Sequence, residues 1–179
     1  VYAVMKGSEE NGYYNILIED TAALEFFAEV VDYEYTFAGD VVNLEGDIDL
    51  YEADENGEAM CFDPIGSYRF DTAFMGTFDG QGHTIKNLNQ NTWALDNGYD
   101  YTDCGLGLFG ALVNAKIQNL TIDDAHISGK SALCGIITAY AENTTFENIT
   151  VKNSDCADYQ YYAGGIVGLF GNTESSHGA

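Results

Sequence analysis

The chain has 179 residues, the size of one compact domain by the usual about 100–200 residues per domain. Its 6 Lys and Arg against 29 Asp and Glu leave a net charge of −23, which excludes the cationic face needed to grip nucleic acid or an anionic membrane surface. Yet 46% of the residues are apolar, with 13 Tyr and 10 Phe, so a disordered acidic tail is excluded too, and no apolar run approaches the ~20 residues of a membrane span.

In chain order, the first periodic segment is Leu24, Phe27, Ala28 and Val31, at i, i+3, i+4 and i+7, with Asp20 or Thr21 placed to cap the start. This predicts an amphipathic helix. Short strands are expected at 41–44 and 48–50, followed by an acidic loop at 52–58. That loop lacks the 12-residue spacing of a calcium site and reads as solvated acid, although calcium is the one cation for which the sequence offers any loop at all. Otherwise no cofactor is expected.

From residue 84 the chain repeats itself. Thr84-Ile85-Lys86-Asn87-Leu88-Asn89 returns as Lys116-Ile117-Gln118-Asn119-Leu120-Thr121 and as Thr145-Phe146-Glu147-Asn148-Ile149-Thr150, at offsets of 32 and 29 residues. A second element returns in phase: Gly107-Leu108-Phe109-Gly110, Gly135-Ile136-Ile137-Thr138 and Gly165-Ile166-Val167-Gly168. Apolar residues skip along these segments and Gly or Asn marks the corners, which is strand-and-turn chemistry rather than helix periodicity. Coils of about 30 residues built from short strands predict a mainly β fold, a short parallel β-helix whose coils stack at the ~4.8 Å strand spacing. Asn87, Asn119 and Asn148 would then form an amide ladder along the stack. The helix, with the strands at 41–44 and 48–50, would act as a lid over the open end. The expected division is an N-terminal cap and first coil at 1–74 and further coils at 75–179, in one continuous domain.

The segments Pro64-Ile65-Gly66 and Met75-Gly76-Thr77-Phe78-Asp79-Gly80-Gln81-Gly82-His83-Thr84-Ile85, followed by the Gly-Leu-Phe-Gly elements, resemble the bacterial cell-surface repeat family named for its GLUG motif. The resemblance runs over roughly residues 13 to 174. It implies a secreted or surface-attached, right-handed parallel β-helix of adhesin-like function, and similar repeats occur in N-terminal regions of bacterial immunoglobulin A proteases. Thr138 departs from the motif, which has Gly there.

Three segments follow the repeated strands and are expected to leave the stack at one corner. The first holds Trp93, Asp96, Tyr99, Asp100, Tyr101 and Asp103. The second begins with Asp123 and Asp124, and the third holds Asp158, Tyr159, Tyr161 and Tyr162. Rings interleaved with carboxylates suit a neutral glycan, by stacking and hydroxyl hydrogen bonds, or a basic host protein. These twelve residues are the candidate ligand-binding set.

Catalysis is not expected. A lyase acting on uronic acids needs cations, and Arg69 is the sole arginine, with Lys86, Lys116, Lys130 and Lys152 scattered. Asp123-Asp124 resembles a glycosidase pair, but Gly82-His83 precedes it where the order should be reversed. There is no His-Glu-x-x-His, and His83, His126 and His177 lack ligand-spaced companions, so no metal site is expected. A carbohydrate-active enzyme or accessory module is the alternative of a different class.

Cys61, Cys104, Cys134 and Cys156 show no Cys-x-x-Cys spacing; three disulfide connectivities are open, and four small buried side chains are the expectation. Asn119-Leu-Thr121, Asn143-Thr-Thr145 and Asn148-Ile-Thr150 match the glycan-acceptor pattern; two of them lie inside the repeat, so the matches are read as incidental to it. A fourth coil starting at Gly164 stops short, which predicts either a piece of a longer chain or end-to-end self-association through that coil.

Overall fold

The computed structural model describes residues 6–10, 13–33, 35–53, 55–57, 59–67, 72–91, 105–129, 133–158 and 162–171. These residues form sixteen strands and one helix, a mainly β architecture. The chain opens with β1 (Lys6–Glu10), antiparallel to β2 (Tyr13–Ile18). Every other strand pairing is parallel, which requires each strand to be reached by a crossover.

Helix α1 (Thr21–Asp32) forms where its periodicity predicts. Asp20 is extended at φ −155° and its carboxylate accepts the Ala23 N–H at 2.9 Å, satisfying one of the donors that a helix start leaves unpaired. The buried face is Leu24, Phe27, Ala28 and Val31. Phe27 lies 5.0 Å, 5.5 Å and 6.1 Å (ring centroids) from Phe37, Phe74 and Phe78, so the helix seats an aromatic plug on the first layers. Phe37 reaches this cluster from a left-handed backbone (φ 57°), a conformation no sequence pattern announces.

The strands β3 (Val41–Leu44) and β4 (Ile48–Asp49) are not part of a lid. They pair in parallel with β5 (Thr77–Asp79) and β6 (Thr84–Lys86) and belong to the layers themselves. After β7 (Asn89–Asn91) the pattern becomes regular. One layer holds β8 (Phe109–Val113), β9 (Lys116–Asp123), β10 (His126–Gly129) and β11 (Leu133–Gly135). The next holds β12 (Thr138–Glu142), β13 (Thr145–Lys152), β14 (Asp155–Asp158) and β15 (Tyr162–Gly164), and β16 (Val167–Gly171) starts a third. All four strand pairs joining the first two of these layers run at the same 29-residue offset, as Lys116 opposite Thr145 and Phe109 opposite Thr138 show. The uniform offset corrects the alignment of the glycine elements: Thr138 stands opposite Phe109 and Val167, so it occupies no glycine position, and its hydroxyl donates to the Tyr140 carbonyl at 2.8 Å.

The side chains at the inward positions of β9, Ile117, Leu120 and Ile122, are buried, and Phe74, Phe78 and Phe109 stack beside them with ring centroids 5.4–5.6 Å apart. In the layer above, their counterparts Phe146, Ile149 and Val151 are only partly covered, while Ile166 and Phe170 are exposed. Two of the four cysteines depart from the expectation of separate buried thiols: Cys134 and Cys156 are joined by a disulfide. Cys134 lies on β11 and Cys156 on β14, in register with Ile127, so the bond ties two sheets together. Cys61 is a free thiol whose sulfur accepts the Asn91 N–H at 3.3 Å, and Cys104 lies outside the described residues.

Candidate functional site

The paired strands and the turns between them include backbone positions that only a few residue types adopt readily. Asn114, Asn119 and Asp124 in one layer and Asn143, Asn148 and Asn153 in the next all have left-handed φ between 47° and 61°. Asn and Asp tolerate this region because their short polar side chains bond locally. Their amides then link the layers: Asn148 donates to Asn119 at 2.9 Å, Asn143 to Asn114 at 3.3 Å, and Asn153 to Asp123 at 2.8 Å.

Within the expected ladder, Asn148 and Asn119 are bonded, whereas Asn119 and Asn87 each turn to a different partner. Asn119 donates downward to Asp79 at 3.0 Å, and Asn87 donates instead to Asp49 at 2.6 Å. The reason is a change in strand length. β9 is one strand of eight residues, whose first half pairs with β5 and second half with β6, and the 80–83 turn separates those two strands. Gly80 is required in that turn, since a Cβ there would come within 2.8 Å of the Leu120 Cα. Asn87 is thereby moved along the wall, where its sequence match to Asn119 no longer applies.

Charge is also ordered by register. Asp49, Lys86, Asp123 and Lys152 stand opposite one another in successive strands, alternating in sign. Lys152 Nζ lies 3.2 Å from Asp123, and Lys116 Nζ lies 2.9 Å from Glu147. The Asn153 amide, together with Lys152, holds Asp123 below the usual carboxylate range, and the Asn87 amide does the same for Asp49. Partial burial pushes the Asp79 carboxyl up, but donation from the Gln81 N–H, Asn119 and Gln118 outweighs it and the group stays depressed. His126 bridges Asp155 at 2.5 Å and Asp124 at 3.1 Å, and the hydrogen bond to Asp155 raises its pKa. Exposed pairs of this kind contribute little to stability. Their effect is mainly on register, because a one-residue slip would oppose like charges.

The candidate binding residues do not all share one corner. Asp123 ends β9 and Asp124 follows it, one strand ahead of the predicted position, and they are engaged by Lys152, Asn153 and His126. The strand ends that do coincide are Asn91 on β7, which faces Ser128 on β10, and Gly129, which faces Asp158 on β14. Tyr162 opens β15 and is 57% exposed. Trp93, Asp96, Tyr99, Asp100, Tyr101, Asp103, Tyr159 and Tyr161 lie outside the described residues.

Sequence reading missed a groove of about 310 Å³ between α1 and the segment leading to Phe62, lined by Glu25, Tyr51, Glu52, Met60 and Phe62 among others. Beside it is a smaller hollow of about 230 Å³ with Glu29, Asp32 and Asp63. Burial, then the neighbouring Glu52 and Glu29, raises the Glu25 pKa, and burial raises Asp32 to about 6. Nothing in the spacing of these acids signals their convergence, because 50–63 runs without periodicity. Among the described residues no group of three or more His, Cys, Asp or Glu is arranged to hold a metal ion.

No family model matches the chain, and no solved structure matches it. Over 150 residues it is 33% identical to Halomucin of Haloquadratum walsbyi (strain DSM 16790 / HBSQ001), a match that takes in 82% of this chain and 2% of that protein. The chain thus spans a small fraction of the length of the curated relative it matches.

Proposed function

We propose that the chain is a non-catalytic module of an extracellular or cell-surface protein: a short parallel β-helix, closed at its N-terminal end by α1, that displays a glycan- or protein-binding corner. The observation that carries this reading is the uniform 29-residue register, which brings the ends of β10 and β14 together, with β7 beside them. Segments bearing Trp93, Tyr99, Tyr101, Tyr159 and Tyr161 follow two of these strand ends in the sequence. Loops on one edge of a solenoid are where such folds carry binding.

The surface location is supported by the Cys134–Cys156 disulfide, a bond kept in oxidising compartments, and by the similarity to Halomucin. The resemblance to GLUG-motif proteins points the same way. The acid coat selects the partner class: neutral sugars or basic protein surfaces approach a chain of charge −23 without repulsion. A neutral-glycan array and a panel of basic proteins, probed with the whole chain, test this. Changing Tyr99, Tyr101, Tyr159 and Tyr161 together to Ala is expected to weaken binding at least tenfold at unchanged stability. Equal binding by the variant would overturn the assignment of the corner.

A further inference from the structure

We infer that Asn143 is an N-glycan acceptor, and that the fold singles it out from the three Asn-x-Thr sequences of the chain. The pattern needs an Asn amide on a surface segment outside paired structure, with a hydroxyl two residues on. The three sites differ in that respect. Asn119 is half-buried in β9, paired on both flanks, with its amide donating to Asp79 and its carbonyl accepting from Asn148. Asn148 lies in the middle of β13, between Glu147 opposite Gln118 and Ile149 opposite Leu120. Presenting either one to a transferase means unzipping an eight-residue strand.

Asn143 stands between strands. β12 ends at Glu142 and β13 starts at Thr145, leaving 143–144 as the corner. Asn143 and Thr145 are exposed, as are Asn148 and Thr150; what sets Asn143 apart is its place outside a strand. In the transfer, Asn143 Nδ2 forms a bond to the anomeric carbon of a lipid-linked oligosaccharide. The bond from that carbon to the phosphate oxygen breaks, the lipid phosphate leaves with the electron pair, and one amide proton passes to a base of the transferase. The product keeps one amide N–H. The repeat explains the Asn at 119 and 148; it does not require a Thr after the corner at 143.

The inference rests on the extracellular reading for its occurrence in the cell, and the experiment separates the two. The folded chain is incubated with an oligosaccharyltransferase that accepts Asn-x-Thr and with a lipid-linked oligosaccharide, and the glycopeptides are mapped by mass spectrometry. Occupancy at Asn143 is expected to exceed that at Asn119 and Asn148 at least tenfold. N143Q and T145A are expected to abolish it, and T145S to retain it. An unmodified chain, or transfer mainly to Asn119 or Asn148, would overturn the inference. Transfer to Asn143 in this reaction, with none on the chain recovered from a glycosylating secretory host, would leave the acceptor intact and count against the extracellular reading.

Discussion

Phe27→Ala is expected to destabilise the chain by about 3–5 kcal/mol, the largest loss from any single substitution in α1. The ring is fully buried and meets Phe37, Phe74 and Phe78, so truncation removes its transfer free energy, leaves a cavity and deletes the edge-on contact to Phe74. Against a typical total of about 5–15 kcal/mol, that is enough to bring the N-terminal layers close to unfolding at room temperature. Urea titration reads it as a fall in midpoint at constant slope. Tyr33, one residue past the helix and 85% exposed, supplies the control, because Tyr33→Ala is expected to stay within about 0.5 kcal/mol. Equal effects at the two positions would mean that the helix is not seated on the aromatic cluster.

Replacing both Cys134 and Cys156 by Ala is expected to cost about 3 kcal/mol, the chain-entropy value for a loop of this size. The two lie 22 residues apart and tie β11 to β14 in the layers whose apolar face is least covered. The outermost strands depend on this bond more than the inner ones, since β9 is paired on both sides whereas, among the described residues, β13 is paired with β9 alone. Hydrogen exchange on the variant is expected to accelerate first in β12 to β16, with β5 and β9 still protected. Alkylation of the unreduced, denatured protein at both Cys134 and Cys156 would contradict the pairing.

What the sequence made legible follows from the range of each interaction. The helix was readable because Leu24, Phe27, Ala28, Val31 and the Asp20 cap are all local to one segment. The repeat was readable for the same reason wherever layers have equal length, as in Lys116 opposite Thr145. It failed at Asn87, where two short strands and a turn oppose one long strand, and a short pattern match cannot record that difference. The placement of Asp123 and Asp124 failed likewise, by one strand. The cysteine pairing, the left-handed Phe37 and the groove under α1 depend on contacts between distant segments that carry no periodic signal.

A cross-link across β9 and β13 tests the parallel pairing at a 29-residue offset most directly. Thr121 and Thr150 face one another in register, and adjacent strands lie about 4.8 Å apart. In a chain with Cys61 and Cys104 changed to Ser, T121C with T150C is expected to be bridged rapidly and quantitatively by a one-carbon thiol cross-linker. T121C with K152C, two residues out of register, is expected to react at least tenfold more slowly. Equal rates, or preference for the second pair, would contradict the register on which the proposed binding corner and the polar contacts between strands both depend.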